Sequence, residues 1–172
     1  MAKYKQPFYH AFRIEYSGVA RDLRSQAGIL LPSATHPDFS KKAKIDFIGL
    51  WDTGATGTVI SKSVVNKVGL TATGQKEVRG VTGAATRDVY MVDIVLPNNL
   101  LLANVEVVDG DIPCDVLIGM NIISLGDFLI TNFSQKTTFS FCMPPHNNRL
   151  DLLDKSDAVN KISKSKPANK IK

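Results

Sequence analysis

Little in this chain could cross-link it or hold a metal. Among its 172 residues are two cysteines, Cys114 and Cys142, and three histidines. Each cysteine lies in an apolar segment, without metal-ligand spacing. Two thiols are too few for a disulfide-stapled fold, so both read as core residues in a reducing compartment. His10, His36 and His146 are scattered, and neither a metal nor a cofactor is expected. No segment approaches the ~18 uninterrupted apolar residues of a membrane span, and residues 1–12 hold no apolar stretch of signal-peptide length. A soluble cytoplasmic protein is expected. No internal repeat is present.

Excess charge is also missing from most of the chain. Lys and Arg number 21 against 16 Asp and Glu, a net +5. From residue 155 onward six lysines face only Asp157, which is again +5. Residues 1–154 are therefore formally neutral, and the pI near 9.2 describes a tail. This argues against a nucleic-acid-binding face on the body of the protein, leaving only the basic tail for nucleic acid or an anionic surface. The tail, 144–172, is rich in Lys, Ser and Asn and is expected to be disordered.

What remains is mostly strand. Hydrophobic residues make up 44% of the chain, enough for one core but not two. Segments 8–16, 23–31 and 43–51 show partial alternation, and 58–60 is a β-branched run. Ser61 can cap a short helix over 62–68 that Gly69 stops. Segments 76–81 and 86–96 read as the arms of a hairpin around Thr82-Gly83, and 100–108 as a strand before a turn at 109–111. A buried strand is expected at 116–118, one helical turn at 121–125, and a last hairpin from 128–133 and 137–141.

Asp52 is the residue most in need of explanation. It follows the apolar run Ile48-Gly49-Leu50-Trp51, where a carboxylate is costly to bury unless hydrogen-bonded. Asp52-Thr53-Gly54 also makes an ordinary turn, with Asp closing onto backbone N–H groups. A turn between solvated strands would not, however, have Leu50-Trp51 before it and Val59-Ile60 after it. The second element is Asp115-Val116-Leu117-Ile118-Gly119-Met120-Asn121, 67 positions further on.

As an ordered set, Asp52-Thr53-Gly54-Ala55, a Gly-bearing hairpin and Val116-Leu117-Ile118-Gly119 resemble the retropepsin-like, or retroviral-type, aspartic protease family, in its small bacterial form. The resemblance covers roughly residues 22–143, with 1–21 as an N-terminal extension. It implies an all-β fold: a single pepsin-like lobe built on a closed β-barrel, with one short helix and a flap hairpin. It implies that Asp52 is the catalytic aspartate and that the Thr53 hydroxyl bonds across a two-fold axis. Gly54 would leave room for substrate and water, and Ala55 would pack beneath the loop. Gly80, Val81, Thr82 and Gly83 would form the flap over bound peptide, and Leu117 would line the groove. The chain departs from the family at Thr56-Gly57, in its less Gly-rich flap tip, and in its first 20 residues and final hairpin, which could cover the groove.

Aspartic proteolysis needs two carboxylates sharing a proton, and this sequence has one Asp-Thr-Gly. A two-fold homodimer would supply the second, because the same residue lies on both sides of the axis. The expected function is an endopeptidase acting on extended peptide. The alternative is a non-catalytic module that keeps the fold for dimerisation or peptide binding.

Overall fold

The computed structural model describes residues 8–35, 43–80, 83–146 and 151–165. Its elements in chain order are β1 (His10–Glu15), β2 (Leu23–Leu30), β3 (Ile45–Trp51), β4 (Thr58–Ser61), α1 (Lys62–Val68), β5 (Gly74–Gly80) and β6 (Gly83–Leu96). There follow β7 (Leu100–Gly110), β8 (Val116–Ile118), α2 (Met120–Ile123), β9 (Asp127–Thr131), β10 (Thr138–Met143) and α3 (Leu152–Ser165).

The larger sheet has the order β2-β3-β8-β4-β7-β6-β5, and β2 also pairs with β6. Six strands therefore close into a barrel, as the all-β expectation required, while β5 hangs from β6 outside it. Alternation decides what faces inward: Tyr90, Val92, Ile94 and Leu96 of β6 are all core residues. Helix α1 starts and stops where its sequence says. Ser61 accepts the Val64 N–H, and Gly69 adopts φ 74°, a left-handed conformation that glycine takes without Cβ strain. The turn expected at 109–111 begins later, because β7 continues to Gly110. Asp109 is buried and its carboxylate accepts the Asp88 N–H at 2.9 Å, which keeps this end of the strand on β6.

β8 lies between β3 and β4. It runs parallel to β3, with Trp51 opposite Ile118, and antiparallel to β4, with Val59 opposite Leu117. Two strands consecutive in sequence are thus separated by a third, so the connection over 52–57 must cross the end of β8.

A second sheet, β1-β10-β9, is wholly antiparallel. The N-terminal segment and the last hairpin, which the family resemblance left without counterparts, meet here. Their aromatic residues pack around Trp51: Phe139 and Phe141 lie 5.1 Å from its ring, Phe128 5.8 Å and Phe12 6.0 Å. The indole Nε1–H donates to the buried Ser25 hydroxyl at 2.9 Å, so the residue preceding Asp52 is held by both sheets. At the outer edge of this sheet, β9 leaves Leu129 and Ile130 exposed.

The tail differs from expectation. Residues 152–165 form a helix, and its described side chains are exposed. Leu, Lys and Ala favour local helix even where little can be buried, and Asp154 suits the first turn. Composition registered the lack of burial but not this local preference. Among the described residues, no helix is long and apolar enough to cross a membrane.

Candidate active site

The loop leaving β3 is fastened at nearly every residue. Asp52 N–H donates to the Ile118 carbonyl at 2.9 Å, extending the β3–β8 ladder by one rung. Gly54 N–H donates to Asp52 Oδ1 at 2.8 Å, and Ala55 N–H to the Asp52 carbonyl at 3.3 Å. This is the Asp-closed turn anticipated for Asp-Thr-Gly. The carbonyls of Ala55 and Thr56 then accept the N–H groups of Met120 and Asn121, at 2.8 and 3.1 Å. The Thr58 hydroxyl donates to Asn121 Oδ1 at 2.8 Å and accepts the Gly119 N–H at 3.2 Å.

Gly119 is what lets the two segments close. A Cβ there would lie 2.4 Å from the Gly57 carbonyl oxygen, 2.6 Å from its carbon and 2.9 Å from the Ala55 oxygen. All three are backbone atoms, which cannot swing aside as a flexible side-chain end could. The sequence marked Gly119 as a strand end; its close approach to a loop more than 60 residues away is a product of the β3-β8-β4 order.

Above this loop lies a groove of about 810 Å³. Asp52, Gly54, Ala55, Val59 and Leu117 line it from the barrel side, and residues 76–80 of β5 from the other. Asp52 is half-buried at the rim. It also borders a smaller hollow of about 300 Å³ shared with Thr53, Val19, Phe128 and Ile130. Asp52 therefore borders both the groove and the hollow that Phe128 and Ile130 of β9 share.

β5 and β6 form the expected hairpin, ending in the pair Gly80 and Gly83. Gly83 has φ +123°, a conformation that side chains rarely adopt. Val81 and Thr82, the expected flap tip, lie outside the described residues. Of the residues proposed from sequence, Asp52, Gly54, Ala55, Gly80 and Leu117 line one groove. Thr53 borders the other hollow. Gly83 stands at the exposed hairpin end and is not among the residues lining the groove. Sequence reasoning missed Lys76, Glu106 and Asn121, which also line it. Lys76 and Glu106 lie on strands far apart in sequence and Asn121 on a helical turn, so no local signal brings them to one groove. Among the described residues, none of β1, β9 or β10 lines the groove. Among the described residues, no group of three or more His, Cys, Asp or Glu could hold a metal ion.

Residues 43–122, which carry both halves of this loop system, match the aspartyl protease family. Similar solved structures include a retropepsin-like aspartic protease from Rickettsia conorii, 17% identical over 81% of this chain and 98% of that one, with a TM-score of 0.49. The simian foamy virus protease is 16% identical over 59% of this chain and 92% of its own, with a TM-score of 0.40. No curated protein matches the chain.

Proposed function

We propose that this chain is an aspartic endopeptidase that acts as a two-fold homodimer, with Asp52 of each copy supplying one catalytic carboxylate. The observation that carries this reading is the position of Asp52. It sits at the rim of the groove, on a loop knitted to Gly119 and Asn121, and it also borders the hollow shared with Thr53, Phe128 and Ile130, the side on which a second copy would bring its own Asp52. The exposed Thr53 lies on that side, where its hydroxyl would tie the two loops together, and β9 offers an unpaired apolar edge nearby.

In the dimer one carboxylate is ionised and takes a proton from water, while its protonated partner donates to the scissile carbonyl. The hydroxide equivalent attacks the carbonyl carbon, and the resulting tetrahedral centre collapses as the amine leaves with a proton. Substrate would lie extended between β5 and the barrel, using backbone hydrogen bonds for affinity and side-chain hollows for selectivity. Gly54 contributes by having no side chain beside the carboxylate: a Cβ there would stand 3.1 Å from Asp52 Oδ1.

Sedimentation over a concentration series, combined with cleavage assays on an unstructured peptide library, tests the reading. A C2 dimer whose specific activity rises with dimer fraction is expected. A strict monomer with full activity would overturn the shared-carboxylate mechanism, and a dimer that binds but never cleaves peptide would favour the non-catalytic module.

The flap gives a second expectation. Gly83→Val forces a β-branched residue into a positive-φ conformation, with a strain of about 1–3 kcal/mol at the end of an exposed hairpin. Turnover should fall several-fold while the main unfolding transition moves little, because the barrel does not depend on the hairpin end. Unchanged kinetics would reduce the hairpin to a surface feature.

A further inference from the structure

We propose that Lys76 and Glu106 form a polar subsite in the groove that selects substrate side chains ending in a neutral amide. The proposal rests on the peptidase reading above and names part of its substrate class.

Strand register places the two residues on one face. Lys76 lies opposite Arg87, Val78 opposite Ala85 and Gly80 opposite Gly83, while Glu106 lies opposite Met91 and Val108 opposite Val89. Opposed residues share a face of a sheet, as do alternate residues along β6. All of these therefore lie on the face away from the core residues Tyr90 and Val92. Glu77 and Arg79 lie on the other face of β5, also border the groove, and pair with each other at 3.2 Å, so they too bring no net charge to it.

In a flat sheet Lys76 and Glu106 would be far apart. Their partners on β6 are four residues apart and β6 lies between their own strands, a separation of roughly 16 Å. Yet Lys76 Nζ lies 2.5 Å from Glu106 Oε1. The hairpin must curl back over β7, with the ion pair inside the curl and both residues lining the groove that begins at Asp52.

Apolar Val59, Val78 and Leu117 line the same groove. A side chain entering it meets these apolar surfaces and, at the pair, one donor and one acceptor with no net charge. A primary amide satisfies both, its oxygen accepting from Lys76 and its N–H donating to Glu106. An acid or a base would match one partner and oppose the other. The side chains of the pair are 47% and 54% exposed. A pair so exposed is weak enough to admit a third group, and its charges act more strongly once peptide excludes water.

The test uses peptides that differ at one position (Gln, Glu, Lys or Leu), scanned along the residues flanking the scissile bond. Cleavage is measured with the wild type, Glu106→Gln and Lys76→Met, and binding of the same peptides is measured with each in an Asp52→Asn background. At one position the wild type should favour Gln. Glu106→Gln leaves Lys76 unopposed and should move preference toward Glu by roughly tenfold, while Lys76→Met should move it toward Lys by a similar factor. Both residues are on the surface, so the variants are not expected to compromise folding. Cleavage with the same profile in all three proteins would overturn the subsite and leave the peptidase reading standing. A preference that switches in binding without any cleavage would support the subsite and overturn peptidase activity. Absence of both binding and cleavage would overturn both.

Discussion

Asp52→Asn should leave fold and dimer intact and lower peptide cleavage by at least about a thousandfold, within the range that positioned acid–base groups supply. The amide has nearly the size of the carboxylate, and its oxygen can still accept the Gly54 N–H that closes the turn. The Asp52 N–H bond to Ile118 is made by backbone and is unaffected. What disappears is the shared proton: an amide pair cannot take a proton from water. Cleavage by mutant and wild type across an acidic-to-neutral pH series is the measurement. Equal rates would place the chemistry away from Asp52.

Gly119→Ala should be nearly as damaging, but through structure. The new methyl would meet the Gly57 and Ala55 carbonyl groups at 2.4–2.9 Å, so the loop carrying Asp52 must move away from β8. Such overpacking typically costs about 1–3 kcal/mol. A displacement of ~1 Å in a catalytic group can cost about a hundredfold in rate. The control is Gly57→Ala, across the same contact, where an added Cβ meets nothing within 4 Å. Urea midpoints should drop for Gly119→Ala and stay close to wild type for Gly57→Ala. Equal stability and activity for Gly119→Ala would mean that the loop and β8 are not held against each other.

Much of this architecture was legible because its signals are local. The apolar run into Asp52, the Ser61 and Gly69 caps of α1 and the hairpin glycines each depend on a few adjacent residues. The tail helix was missed for a related reason: low burial predicts little packing, yet local propensity favours a helix over 152–165. The added segments could not be placed from sequence at all. Phe12 and Phe139 are 127 positions apart, yet their rings meet at 5.6 Å beside Trp51. Nothing near either residue in the chain records that contact.

The sequence by itself determined the chemistry on offer and where strands, caps and turns begin, because backbone preference and alternation act over a few residues. Only the tertiary structure decided that β8 passes between β3 and β4. That order makes Gly119 indispensable, fastens the loop at Asp52 and leaves its carboxylate at a groove. The curl of β5 and β6 that joins Lys76 to Glu106 is likewise tertiary. Pairings between distant strands are set by how the whole barrel closes around its core, so no short stretch of sequence encodes them.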